Sequence, residues 1–318
     1  MSTTSPGRVV VLAGGLSPER DVSLRSGRRV AEALRLTGAE VEVRDVDADL
    51  LPSLAADPPA CVVPLLHGAA GEDGALRDVL AALGLPVVGS DPVACRRAFD
   101  KPVASGLVSA AGVSVPPSVA LPHSTFRELG AVAVLDAVVR RLGLPLMVKP
   151  TRGGSSLGAT VVRTAGDLPA AMVAAFAYGD TALIERFVDG TEVAVSVLDS
   201  GDGPRALPVV EVVADGGFYD YAARYTAGAT EFFTPARLAD DVLAACASAA
   251  VRVHRTLGLR DWSRSDLVVD PAGTPWFLEV NVAPGMTETS TYPQAVLAAG
   301  LDLGAIVADL VTGAVNRG

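Results

Sequence analysis

Lysine is nearly absent from this chain of 318 residues: of 26 basic residues only Lys101 and Lys149 are lysine, and the other 24 are arginine. A positive charge is written as arginine almost everywhere, so the two exceptions need a reason. Basic residues never run longer than a pair, and the net charge is −10. A nucleic-acid partner, which needs a basic patch, is therefore not expected. Cysteine is scarce too. Cys61, Cys95 and Cys246 contain no C-x-x-C pair, which excludes a zinc ribbon or a dithiol redox motif and predicts reduced core residues. Long apolar runs are missing: the opening "MSTTSPGRVVVLAGG" is too short a run for a signal peptide, and Asp302 and Asp309 interrupt the most apolar late segment. No membrane span and a cytoplasmic location are the expectation.

What is present is a chain with 50% apolar residues, long enough for two or three domains of about 100–150 residues each. "RVVVLAGG" reads as a buried strand entering a glycine turn, followed by a helix over about 21–36 that stops at Gly38. Strands near 40–46 and 60–66, a helix carrying Leu76, Val79, Leu80 and Leu83, and a strand at "PVVGS" continue a parallel α/β domain over 1–90. A central domain over 91–183 begins with a helix in "DPVACRRAFDKPVASGLVSAAG", adds a helix at 125–142, and has two short strands around "TRGGSSLG". The remainder, 184–318, shows β-runs at 181–187, 191–199 and 206–213, a helix near 239–257, a hairpin and C-terminal helices. No internal repeat or low-complexity tail is visible.

"TRGGSSLG" joins "LMVK" to "ATVVR" and reads as the loop of an antiparallel pair. Its glycines and serines offer N–H and hydroxyl donors to an anion, although an ordinary turn has the same composition. It is not a P-loop, because Lys149 precedes the glycines, and "LAGGLSPE" lacks the G-x-G-x-x-G dinucleotide order.

"DWSRSDLVVDPAGTPWFLEVNVAPG", residues 261–285, is the most informative stretch. A four-residue loop at "PAGT" pairs Asp270 with Pro275, which sets Asp266 opposite Glu279 and Arg264 opposite Asn281 on one face. Leu267, Val269, Trp276, Leu278 and Val280 take the other. Opposed carboxylates about 5 Å apart repel by roughly 3 kcal/mol at an effective dielectric near 20, so something must neutralise them. Two carboxylates and an amide oxygen suit Mg²⁺; a surface salt-bridge cluster is the alternative. Asn281 is one of only two asparagines in the chain. A metal site and an anion loop together suggest ATP.

These segments, with "GGLSPERDVSL", "LLHGAAGEDG", "FDK", "IERFVDGTEV", "FYDYAARYT" and "LEVNVAPGMTETS", resemble the D-alanine:D-alanine ligases of the ATP-grasp superfamily, in order and over almost the whole chain. The resemblance implies a three-domain α/β architecture with a Rossmann-like first domain and ATP held between the second and third. It implies that Lys101 and Lys149 contact ATP phosphates under a loop carrying Ser155 and Ser156, that Glu185 to Val188 face the adenine, and that Glu192 meets the ribose. Asp266, Glu279 and Asn281 would hold two Mg²⁺ ions, for which Mn²⁺ can substitute. A first D-alanine, bound by Glu19 with His67 nearby, would form an acylphosphate, and a second, held by Ser290 and Arg224, would attack it. Arg264 and the Gly285 N–H would stabilise the oxyanion, and Glu19, Ser155 and Tyr225 would latch a loop. The product would serve peptidoglycan synthesis.

Other readings of single residues stand beside these: Glu19 as a helix cap, His67 as a satisfied turn residue, and His123 and His254 as structural or surface histidines. The chain departs from the family at Phe99, Ala222, Arg224, Ser265, Val282 and Ala283, which leaves the acceptor open. A paralogous ligase with another acceptor and a silent ATP-binding module are the rival readings. The family is commonly dimeric.

Overall fold

The structure is a computed structural model that describes residues 7–214 and 230–317. Val9–Leu12 (β1) lies between Val41–Arg44 (β2) and Cys61–Pro64 (β3), all parallel. Every residue of β1 is buried, as a strand covered on both faces must be. The strand expected at "PVVGS" is one parallel bridge, Val62 to Val87. Gly89, at φ +102°, turns the chain away immediately afterwards. The helix expected at 21–36 is Arg20–Leu36 (α1). Its buried Ser23, Ser26, Gly27, Val30, Ala31 and Leu34 form one stripe against the sheet, at the spacing of a helical face. After β2 the chain forms Leu50–Ala56 (α2), and after β3 it forms Ala69–Glu72 (α3) and Ala75–Ala82 (α4).

The single helix expected after residue 91 is two, Pro92–Phe99 (α5) and Lys101–Ala110 (α6). Asp100 leaves helical geometry at φ −94°, ψ 99°, and its side chain caps Val103 N at 3.2 Å. Pro102 cannot donate to the preceding turn, so the break falls there. It places Lys101 in a first turn, with its own N–H bonded to Thr151 O. The helix expected at 125–142 likewise divides at Gly130 (φ +83°) into His123–Leu129 (α7) and Ala131–Leu142 (α8).

A second sheet is wholly antiparallel: Ser118–Pro122 (β4), Thr181–Arg186 (β7), Leu146–Pro150 (β5) and Thr160–Val162 (β6), in the order β4-β7-β5-β6. α8 and the helix Leu168–Phe176 (α9) contribute to its core with Leu146, Val148 and Ile184. The glycine-rich loop joins β5 to β6, as its flanking patterns require.

The third sheet runs β11-β10-β8-β12-β13, with Arg205–Ala206 (β9) beside β8. Its strands are Thr230–Phe233 (β11), Val210–Ala214 (β10), Thr191–Leu198 (β8), Trp262–Val269 (β12) and Pro275–Asn281 (β13). The helix Asp240–Leu257 (α10) packs on β8, β12 and β13. His254 sits buried in this contact with its Nδ1 2.8 Å from Ser263 Oγ, and His123 is edge-on to Phe176.

The β12–β13 register differs from expectation at the turn and agrees at the site. Val269, not Asp270, faces Pro275. Asp270 leaves the ladder because its carboxylate accepts from Ala272 N, Thr274 N and Trp276 Nε1, each at 2.9 Å, the usual way an aspartate organises a turn. A bulge between Asp266 and Leu267 then restores the lost residue, so Asp266 faces Glu279 and Arg264 faces Asn281. The bulge changes the core face as well. Phe277 joins Leu267, Val269 and Val280 in the core, whereas Leu278 lines a cavity and Trp276 is half-buried.

Thr291–Ala298 (α11) and Leu303–Arg317 (α12) end the described chain. α12 returns to the first sheet and packs on α1 and β3. No single helix among the described residues is long and apolar enough to cross a membrane.

Candidate functional site

The three sheets meet around one cavity of about 520 Å³. One end of it is lined by residues of the second and third sheets. Lys149 on β5 and Glu185 on β7 are both buried, and Lys149 Nζ stands 2.6 Å from Glu185 Oε1. The antiparallel register sets Met147 opposite Glu185 and Lys149 opposite Leu183, so the pair is diagonal on one face. Lys101 approaches from α6, donating to Gly153 O at 2.7 Å and standing 3.3 Å from Glu279 Oε2. Val188 and Glu192 line the same wall.

The loop between β5 and β6 covers this end. Ser155 and Ser156 adopt φ of 52° and 56°, left-handed values that cost a non-glycine residue roughly 1–3 kcal/mol and gather at functional sites. Ser155 is buried and donates its hydroxyl to Glu19 Oε1. That bond joins the second sheet to the first. Glu19 occupies the N-cap position of α1 but makes no side-chain cap bond, so the capping alternative is not the one the chain adopts.

On the β12–β13 hairpin, Arg264 grips Asp266 through Nε at 2.7 Å and Nη2 at 2.8 Å. The repulsion expected between Asp266 and Glu279 is therefore offset from inside the protein, by Arg264 on one carboxylate and Lys101 on the other. Asn281 Oδ1 accepts from Ala283 N at 2.9 Å, and its side chain lines the cavity. The donor set of Asp266, Glu279 and Asn281 is all oxygen and on one face, which fits a hard divalent cation completed by phosphate oxygens. Among the described residues no group of three or more histidines, cysteines or carboxylates is gathered for a metal, so a cation here would depend on a ligand for part of its coordination.

At the other end, His67 ends the segment after β3, buried, with Nε2 lacking a hydrogen-bond partner. Burial lowers its pKa, while Glu19 and the Ala283 backbone pull the other way; the neutral ring is the favoured form. Gly285 and Ser290 lie side by side, since a Cβ on Gly285 would stand 2.8 Å from Ser290 Oγ. Ser26 of α1 accepts from Met286 N at 2.9 Å and holds that loop against the first sheet.

All the site residues expected from sequence that fall among the described residues line this one cavity, from Glu19 and His67 through the lysines to Gly285 and Ser290. Arg224 and Tyr225, like Ala222, lie outside the described residues. Sequence reasoning missed Glu72, Leu278 and Thr291, which also line it. The "GEDG" run contained the signal for Glu72. Leu278 required the bulge to be known.

A lysine-bearing antiparallel sheet, a second sheet with a carboxylate hairpin, and a Gly/Ser loop over the cavity between them define an ATP-grasp protein. The family description "D-ala D-ala ligase C-terminus" matches residues 107–312. The chain is 42% identical over 305 residues to the D-alanine–D-alanine ligase of Gloeobacter violaceus, covering 96% of this chain and 98% of that one. It is 41% identical over 306 residues to that of Bordetella petrii, covering 96% and 91%. Among solved structures it superposes on the VanG D-Ala:D-Ser ligase of Enterococcus faecalis with a TM-score of 0.83 at 29% identity, covering 97% and 99%. The D-alanine–D-alanine ligase of Bacillus anthracis gives 0.82 at 27%, covering 98% of each. This chain belongs to the D-alanine–D-alanine ligase family, a family of ATP-dependent ligases.

Proposed function

We propose that this protein joins two D-alanines to D-alanyl-D-alanine at the expense of ATP, in the cytoplasm, for peptidoglycan synthesis. The observation that supports it most is the placement of Lys101, Lys149, Arg264, Asp266, Glu279 and Asn281 in one cavity with Glu19 and His67. A solved D-alanine–D-alanine ligase complexed with ATP has the same fold, at a TM-score of 0.81.

Lys101 and Lys149 hold the phosphates, with Ser155 and Ser156 in the covering loop; Glu185 to Val188 line the adenine and Glu192 meets the ribose. Asp266, Glu279 and Asn281 would hold Mg²⁺, which would supply charge neutralisation on the transferring phosphoryl group. Glu19 binds the donor's ammonium group, and the donor's own carboxylate attacks the γ-phosphoryl group of ATP, giving the acylphosphate and leaving ADP. The acceptor, its carboxylate at Ser290 and Arg224, attacks the acylphosphate carbonyl through its amine, and inorganic phosphate leaves. The oxyanion that forms is stabilised by Arg264 and the Gly285 N–H. Tyr225 completes the Glu19–Ser155 latch. Positioning, which the three converging sheets supply, contributes much of the rest of the acceleration.

One observation favours a second reading, an acceptor whose side chain bears a hydroxyl, such as D-serine. Thr291, next to Ser290, lines the cavity with a buried hydroxyl that has no hydrogen-bond partner, and a buried polar group gains when a ligand satisfies it. Phosphate release from ATP, measured with D-alanine alone and then with D-alanine plus D-serine, D-lactate or L-amino acids, tests both. Turnover with D-alanine alone is expected. Turnover only with another acceptor assigns the second reading, and none with any acceptor overturns the ligase.

A further inference from the structure

Glu72 has no part in the roles above, yet it lines the donor end of the cavity. It closes α3, and its Oε1 accepts from Gly68 N at 2.7 Å. Glu19 reaches the same glycine from another side: a Cβ on Gly68 would stand 3.3 Å from Glu19 Oε2 and 3.0 Å from Ser17 Oγ. Gly68 has φ +72°, ψ −163°, a conformation essentially confined to glycine. Two carboxylates thus converge on a glycine that leaves them room, beside His67.

The surroundings of Glu72 disfavour a second anion. Glu19 opposes its ionisation, as does Glu279 on β13, and Arg264 on β12 favours it. On α4 and α5, which pack on α3, Arg77 donates to Val88 O and Arg96 pairs with Asp78; Arg97 of α5 is exposed. Cys95 of α5 holds its proton, with its thiol pushed up to about 11 by burial. Burial first and Glu19 second push the Glu72 carboxyl up to about 8.

A substrate ammonium group has three N–H donors to satisfy. Glu19 already accepts the Ser155 hydroxyl on one oxygen. Neutral His67 has Nε2 buried without a partner and able to accept. Glu72 completes a set of three acceptors at one end of the cavity. We propose that Glu72 is the second counter-charge of the donor ammonium, protonated while the site is empty and ionised once the ammonium arrives, so that donor binding releases one proton. The proton passes from the carboxyl to solvent, and no bond of the donor changes. This rests on the donor site proposed above.

The test is calorimetry of D-alanine binding to the whole protein saturated with Mg-ADP, at pH 7, in two buffers of different ionisation enthalpy. Wild type releases about one proton per donor bound, and its affinity rises toward tenfold per pH unit between pH 6 and 7.5, because a released proton favours binding at higher pH. Glu72→Gln, which keeps an oxygen able to accept from Gly68 N, releases none. It binds D-alanine at least tenfold more weakly, with a flat pH profile and an unchanged KM for ATP. A merely structural Glu72 predicts that the glutamine variant matches wild type in proton release and affinity, and that result overturns the proposal. D-alanine binding to wild type without proton release overturns this inference alone. No D-alanine binding at all overturns the donor site with it.

Discussion

Lys149 is 9% exposed and its one close anionic partner among the described residues, Glu185, is 5% exposed. A compact ammonium fits between a buried carboxylate and a phosphate, where a planar guanidinium demands room and a fork-shaped partner. In a chain that uses arginine for every other basic position but one, the lysines at 101 and 149 both line the cavity, where the proposed reading puts the ATP phosphates. Lys149→Arg is therefore expected to cut kcat/KM for ATP by at least tenfold, about 1.4 kcal/mol, although charge is conserved. Steady-state kinetics with varied ATP check it, and wild-type values would make the lysine an accident of composition. Residue chemistry of this sort was legible in sequence where a residue type was rare, as for the lysines and Asn281. Glu72 was not: it is one of 36 acidic residues, and only its place in the cavity beside Glu19 distinguishes it.

At the scale of elements, two departures from the expected hairpin cancel. The turn takes one residue more than expected and the bulge one more again, so the polar quartet keeps its pairing while Phe277 takes the core position. Alternation along a strand is readable from sequence, but a bulge depends on where side chains such as Asp270 find donors. Helix α1 shows the same dependence. Gly27 lies in its middle, where alanine would normally stabilise a helix by about 1 kcal/mol. Here an added Cβ would stand 2.4 Å from Ala13 Cβ. Gly27→Ala is expected to destabilise by about 1–3 kcal/mol through overpacking, read as a lower midpoint in urea unfolding. An unchanged or raised midpoint would show that α1 can shift from the sheet without cost, and with it Glu19 and Ser26.

For the molecule as a whole, the junction at Asp261 is the point where three regions are tied. Asp261 is 2% exposed at φ +64°. Its carboxylate accepts from Gly89 N at 2.6 Å and from Arg317 Nη2, near the end of α12, at 2.8 Å. Burial raises its pKa, with Arg317 and Gly89 opposing. Arg317→Met leaves a buried charge without its cation. Because Arg317 is 40% exposed, the cost expected is about 1–3 kcal/mol, below that of a fully buried pair. It is larger at pH 8, where Asp261 must ionise, than at pH 5, where it can more readily keep a proton. Denaturant unfolding at both pH values measures it, and equal losses would place the effect in packing alone.

By itself the sequence determined the class of most segments and the chemistry of the rare residues, because strand alternation, helical stripes and charged groups are local properties of the chain; it did not show the strand Ser118–Pro122. It determined that Arg264, Asp266, Glu279 and Asn281 share a face. Only the tertiary structure decided that α12 returns to the first sheet, that Lys101 neutralises Glu279, and that Glu72 is a half-buried acid beside Glu19. Each of these joins residues far apart in the chain, and whether a carboxyl is charged, paired or held neutral depends on what folding brings around it rather than on its neighbours in sequence.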